Sequence, residues 1–337
     1  MRLKHISFAI LICSIAVAGW IAWGLFGPTL SSKQKYLYIE HSTPSAQLLE
    51  SIKEKEILQS NYWVKSLLEW WGVDTVRKGR YKISTGMTAF QLARNLRNGR
   101  QTFVKLPINK IRTIEELAGR IGNGIDSKVD SLQLLQYLHN QDSIKKFGVN
   151  PQTLLALTLP YTYELGWAEN PTEIIERFYK RWNQFWTDDR IQKAREKKLN
   201  PIEVSILASI VEEETNNKED RYLIASTYLN RLRIGMKLQA DPTAKFASRD
   251  FKLNRIMYGH LKINSPYNTY LYPGLPPGPI CTPSIQAIDA VLEAPETNYL
   301  FFVASWRFDG RSLFSSTYKD HQAYVKLFHE AQRKRLE

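Results

Sequence analysis

The sequence predicts an α+β protein: an apolar N-terminal helix, a run of short βα units, and a mainly helical C-terminal block with a small sheet. Three observations carry that prediction. Residues 6–26 form an uncharged apolar run. A strand–Thr–helix pattern recurs over 36–124. From residue 200 two apolar helices, a Pro/Gly-rich loop and a strand follow one another. The 337 residues leave room for two or more domains, at roughly 100–200 residues each. A hydrophobic share of 43% with 12% aromatic residues excludes a disordered chain. Two cysteines exclude a disulfide scaffold and a Cys-rich zinc module.

Ile6 to Phe26 is 21 residues without a charge, enough to cross a hydrocarbon core of about 30 Å as a helix. Arg2 and Lys4 precede it, and no acid occurs before Glu40. The positive-inside rule then puts residues 1–5 in the cytoplasm and the chain from about Gly27 outside, with Lys33 and Lys35 as weak counter-signals. Ala16-Val17-Ala18 has the form of a signal-peptidase site, but the apolar run continues well past it, so an uncleaved anchor is expected. Ile12 before Cys13 is too bulky for lipoprotein processing. Beyond the anchor the chain is still +11. Such charge suits an anionic membrane surface or an anionic polymer. Export argues against nucleic acid as the partner.

In the second segment, Tyr36–Glu40 alternates as a strand, and Thr43-Pro44 is expected to open a helix through about Lys55. Tyr81–Ile83 reads as a second strand. Gly86 turns the chain, Thr88 and Gln91 make a capping box, and Ala89, Leu92, Ala93 and Leu96 share one face up to Asn98-Gly99. The same helix recurs 25 residues later, with Thr113, Glu116, Leu117, Ala118, Asn123 and Gly124 in matching places. Short βα units of this kind resemble the LysM module, a small glycan-binding fold; shared helix-start grammar explains them equally well. Residues 125–199 read as a helical connecting region, with apolar faces over 130–139 and 172–186 and a charged stretch over 190–199.

The block from 200 to 337 opens on Asn200-Pro201-Ile202-Glu203, a cap, a first-position proline and a reciprocal acid. The helix that follows is apolar almost all round and should be buried. It ends in Glu212-Glu213-Glu214, at the end where the helix dipole disfavours acids. Glu212 lies above Ser205, Ala208 and Ser209, a small-residue stripe that is expected to leave room for a ligand. Adjacent acids, the dipole and burial all raise a carboxyl pKa, as a general acid near neutral pH requires. A frayed, solvated acidic helix end is the plainer alternative.

The next motifs favour the catalytic reading. Leu207–Thr215, Ala225–Thr243, Ser265–Tyr270 and Gly274–Ile280, in that order and spacing, closely resemble the MltG/YceG-like family of membrane-anchored endolytic murein transglycosylases. The resemblance is dense from 200 to 283 and diffuse before 160. It implies a LysM-like subdomain and a lysozyme-like, mainly helical catalytic domain. It places the catalytic glutamate on Glu212. Three departures stand out: Glu213 replaces a usual basic residue, Leu159–Tyr163 lacks the family's Asp, and Cys281-Thr282-Pro283-Ser284 replaces Asn-Pro-Gly.

The implied reaction is non-hydrolytic cleavage of the β-1,4 bond between N-acetylmuramic acid and N-acetylglucosamine, leaving a 1,6-anhydro end. The implied partners are glycan strands of the wall and the membrane, with cell-wall synthases as candidates. Tyr228, Asn230, Arg231, Gln239, Asp241 and Thr243, with Ser209 below Glu212, are polar substrate-binding candidates. Tyr267, Asn268, Thr269 and Tyr270 could line a sugar groove. The six histidines show no metal-ligand spacing, so neither metal nor cofactor is expected. No Gly-x-Ser-x-Gly elbow or phosphate loop occurs. Two rivals remain: a hydrolytic muramidase with Glu214 or Asp241 as second carboxylate, and a catalytically dead peptidoglycan-binding protein.

Overall fold

A computed structural model describes residues 2–28, 30, 35–58 and 60–336. Met1 and Lys33, which enter the charge argument, lie outside them. The chain divides into two compact units. The first holds Met1–Lys105, Ile125–Val129 and Glu164–Asn170; the second holds Leu106–Gly124, Asp130–Tyr163 and Pro171–Glu337. The segment 36–124 therefore does not form one body, and residues 106–124 pack with the C-terminal block.

In the first unit, α1 (Arg2–Phe26) contains the apolar stretch His5–Phe26, none of it buried in the protein. β1 (Tyr36–Ile39), β2 (Thr43–Pro44), α2 (Ser45–Glu54), α3 (Tyr62–Trp70), β3 (Thr75–Val76), β4 (Gly79–Lys82) and α4 (Ala89–Arg97) follow. β1 pairs antiparallel with β4, and β2 with β3. Thr43-Pro44 thus does not open the helix as expected. Pro44 adopts φ −53° and ψ 136°, an extended geometry, and α2 begins one residue later. α4 has the expected capping box, with Thr88 and Gln91 bonded reciprocally. Leu37, Ile39, Leu48, Leu49, Ile52, Leu68, Tyr81, Leu92 and Leu96 build the core.

β5 (Val104–Ile108) leads into α5 (Ile114–Gly122), the repeat of α4 in the second unit. Thr113 caps it through the Glu116 amide, but the Glu116 carboxylate takes the Arg112 amide instead, so the box stays half-formed. α6 (Ser131–His139), α7 (Gln141–Ile144), β6 (Tyr161–Leu165), α8 (Pro171–Phe185) and α9 (Asp188–Glu196) complete the connecting region. α10 (Pro201–Glu214) and α11 (Lys218–Arg233) form a hairpin, and α12 (Asp241–Ser248) follows. Asp-Pro opens turns and helices alike: here Pro242 takes the second helical position, where a missing N–H costs no intrahelical bond. α13 (Ile285–Leu292), the antiparallel pair β7 (Phe301–Ala304) and β8 (Ser312–Ser315), and α14 (Tyr318–Leu336) close the chain.

α10 is the axle of this unit. Asn200 accepts from the amides of Ile202 and Glu203, and Glu203 reaches back to the Asn200 amide. Every residue from Val204 to Val211 is buried. α9, α11, α12 and α13 all pack on it. Truncating Leu207 to Ala at such a site costs about 2–5 kcal/mol.

Candidate active site

Burial along α10 stops at Val211, so the three glutamates that follow stand at the rim of the core. Each meets its own set of partners, with Lys110 beside both Glu212 and Glu213, and these contacts offset the unfavourable dipole at this helix end.

Glu212 accepts a hydrogen bond from Ser284 Oγ at 2.5 Å on Oε2. The same hydroxyl caps α13 by accepting from the Ala287 amide at 3.2 Å, so one side chain fixes both a helix start and the carboxylate. Lys110 Nζ lies 3.8 Å from Oε1, and an Arg221 guanidinium nitrogen 3.9 Å from Oε2. The side chain keeps 13% of its surface open.

Glu213 is clamped by Lys110 at 2.7 Å and by one Arg112 nitrogen at 3.2 and 3.3 Å. Burial pushes its carboxyl up, but the two cations outweigh burial and hold it below the usual carboxylate range. The extra acid at this position is thus neutralised locally. Lys110 and Arg112 flank Ile111, which is fully buried and exchanges hydrogen bonds with Thr282.

Glu214 accepts from the buried Tyr228 hydroxyl at 2.5 Å. The residue keeps some exposed surface, but its carboxyl lies deep enough for burial to dominate. Burial, with Asp241 nearby, raises it to about 7, against the opposing pull of Tyr228 and Arg231. Glu214 therefore keeps a proton to higher pH than an ordinary carboxyl does.

The small-residue stripe beneath Glu212 is not an open groove. Ser205, Ala208 and Ser209 are completely buried. Ser209 Oγ accepts from the Ile280 amide at 3.0 Å, and Cys281 Sγ lies 3.7 Å from the Ser209 carbonyl. The small side chains admit the Pro/Gly loop, which fills the space expected for a ligand. Gly278 in that loop shows the tightness: a Cβ there would sit 1.9 Å from the Gln152 carbonyl oxygen.

The other candidates divide into groups. Tyr228 and Asp241 act on Glu214, and Tyr270 donates to Asp241 at 2.6 Å. Thr243 and Thr269 are buried and bond each other at 2.8 Å, while Thr269 also accepts from the Ala240 amide. Gln239 is exposed, at a left-handed φ of 50°, with its amide bound to the Thr269 carbonyl. Asn268 is buried and spends its amide on the carbonyls of Leu261 and Ile263. Half-buried Tyr267 packs its ring 4.6 Å from Phe246. Arg231 ties the carbonyls of Leu300 and Leu238. Asn230 holds Thr297 and Tyr299 and lines a separate cavity of about 1140 Å³ with Lys198, Arg233 and Asn298, which includes none of the three glutamates.

Sequence reasoning missed Lys110, Arg112, Arg221 and Ser284 as neighbours of the glutamates. Arg221 had a signal: Arg221, Ala225 and Tyr228 recur at helical spacing on α11. Ser284 was visible only as the last residue of the Cys281–Ser284 departure from the family motif. Lys110 and Arg112 lie about a hundred residues from the glutamates and had none.

A model of the YceG-like family matches residues 37–327. The chain belongs to the YceG-like family. All of the groups just described fall inside the matched region. A Bacillus subtilis relative described as an endolytic murein transglycosylase is 27% identical over 286 residues, covering 80% of this chain and 78% of that protein. A Streptococcus pneumoniae protein of the same description is 33% identical over 135 residues, covering 39% of this chain and 24% of its own length. A crystal structure of a YceG-like protein from Listeria monocytogenes superposes with a TM-score of 0.56 at 24% identity, over 86% of this chain and 98% of that one. That likeness supports a shared YceG-like fold.

Proposed function

We propose that this chain is a membrane-anchored endolytic peptidoglycan lytic transglycosylase with Glu212 as its catalytic acid and base. The observation that carries this is Glu212 itself. It is a partly open carboxylate fixed by Ser284 at the end of a buried helix, at the position where the YceG-like family resemblance puts the catalytic residue. The relatives' description supplies the substrate class.

The chemistry needs one carboxyl. Protonated Glu212 gives its proton to the glycosidic oxygen as the bond from muramyl C1 breaks. The resulting carboxylate takes the proton of the muramyl C6 hydroxyl as that oxygen bonds to C1. The acid is regenerated, a 1,6-anhydro ring forms, and no water is consumed. The intramolecular nucleophile is present at high effective concentration. Ser284 holds Oε2 while Oε1 stays beyond hydrogen-bond reach of Lys110, an arrangement suited to proton exchange.

α1 is the uncleaved anchor, with residues 1–5 cytoplasmic and both units on the other side of the membrane. The βα segment from 36 onward serves as a LysM-like hold on the strand, and cell-wall synthases are candidate partners. Mass spectrometry of digested wall tests the reaction. Anhydro-muramic ends are expected from the wild type and none from Glu212→Gln; reducing ends would make the protein a muramidase. The Glu214 carboxyl, whose Oε1 is taken up by the Tyr228 hydroxyl, is poorly placed to be that enzyme's base.

A further inference from the structure

The first unit carries a face of large aromatic side chains that the glycan chemistry does not use. On α3, Tyr62 and Trp70 are 55% and 80% exposed, and with Ser66 they form one stripe at helical spacing. Isolated exposed rings need no explanation, but a contiguous group does.

What lies beside this stripe is the end of α1. The Trp20 ring sits 4.7 Å from Trp63 and 6.4 Å from Tyr62, at the start of α3. Gly24 lets the Trp63 indole lie directly on α1, where a Cβ would come within 2.0 Å of it. At the far end of α3, Trp70 stacks on Trp71, Trp71 meets Phe90, and Phe90 meets Phe26. Both ends of α3 are thus joined through rings to the last turns of α1. Trp20 lies six residues before Phe26, about 9 Å along the axis. Described residues just after α1 pair within the same unit: Pro28 bridges Thr88, and Leu30 bridges Leu58.

We propose that α3 is an interfacial helix that seats the Tyr62–Ser66–Trp70 stripe in the headgroup layer of the bilayer crossed by α1. The occupant follows from depth: a helix whose first turn rests through Tyr62 and Trp63 on the final turns of a span lies near their level. Trp and Tyr favour that level, with the ring in the apolar boundary and its polar edge in water. Arg97, stacked 4.9 Å over Trp71, places a cation beside the stripe for lipid phosphates. The first unit then lies against the membrane at two points, the span and α3, rather than swinging from one.

This inference rests on α1 being a retained span, and the test separates the two. Spin labels are placed one at a time at Ala16→Cys, Ser66→Cys and Trp70→Cys in the full chain carrying Cys13→Ala. The protein is held in nanodiscs of phosphatidylethanolamine and phosphatidylglycerol. Collision with oxygen and with a water-soluble nickel chelate is read by EPR. Labels at 66 and 70 are expected to shift towards oxygen, between the Ala16 label and free label in buffer. If Ala16 is in lipid while 66 or 70 is as open to nickel as free label, α3 is not interfacial and only this inference falls. If Ala16 is also aqueous, the anchor reading falls and takes the inference with it. Position 66 is half-exposed and position 70 exposed, so both labels sit at the surface, and Trp70→Cys gives up only the ring contact with Trp71.

Discussion

The Tyr228 hydroxyl donates to Glu214 at 2.5 Å, tying the last residue of α10 to the second half of α11 through one hydrogen bond. A charged carboxylate is costly there, and the protein manages the cost with a proton more than with a cation. That choice has a measurable consequence. Glu214 is raised to about 7 in the folded state from 4.5. Between those values the folded chain binds more protons than the unfolded one, so stability falls as pH rises through the window and levels off above it. Glu214→Gln removes that slope and gains on the wild type at about pH 8 relative to about pH 4. Thermal melting of the detergent-solubilised full chain across this range decides it, and parallel wild-type and variant curves would refute it. Tyr228→Phe strips the buried carboxyl of its donor and should cost about 1–3 kcal/mol at neutral pH.

Ser284 is expected to position the catalytic group rather than react. Glu212→Gln should lower turnover by about 10²–10⁴ if it keeps the fold. Ser284→Ala should lower kcat about tenfold with KM unchanged, the kinetic equivalent of about 1.4 kcal/mol. It also removes a helix cap worth about 1 kcal/mol. Ser284→Thr keeps the hydroxyl and should recover most of the rate. A Ser284→Ala enzyme with full kcat would show that Glu212 needs no such hold. Glu213→Gln should be milder than Glu212→Gln in its effect on rate, since Glu213 is already occupied by Lys110 and Arg112.

Cys281 stands among these charged groups without sharing their reactivity. Burial, aided by Glu213 and Glu212, pushes its thiol far above the usual range. Maleimide should leave it unmodified in the native protein and label it in denaturant. Labelling of the native chain at Cys281, located by peptide mapping, would mean that the Pro/Gly loop opens.

Helices were largely legible where a strong start signal met an apolar face or an apolar run. Asn200-Pro201 with Glu203 announced α10, and Thr88 with Gln91 announced α4. α3 was hidden because Asn61 makes no capping bond. α12 was hidden because Asp-Pro opens turns and helices alike. The acidic tip could be placed on a helix, but its electrostatics could not. The sign of each shift is set by Lys110, Arg112 and Tyr228, and only the fold decides which glutamate meets which. Small residues below Glu212 read equally as a ligand groove or as a seat for a loop. The packing of Ile280 and Cys281 on Ser209 decides for the loop.

The mode of cutting gives the last prediction. Glu212 is approached by three separate segments: Lys110 ahead of α5, Arg221 on α11 and Ser284 at the start of α13. An enzyme that cuts within a strand must bind sugars on both sides of the scissile bond, so the path past its carboxyl must be open at both ends. A Glu212 carboxylate left partly open at the α10–α11 connection suits such a path better than the floor of a blind pocket would. On long uncrosslinked glycan the early products should therefore show a broad fall in strand length, each new end carrying an anhydro ring. A processive or terminal cutter would instead release disaccharides while most strands stay long. Size separation of products at low conversion distinguishes the two, and disaccharide release from the outset would refute the open path at Glu212.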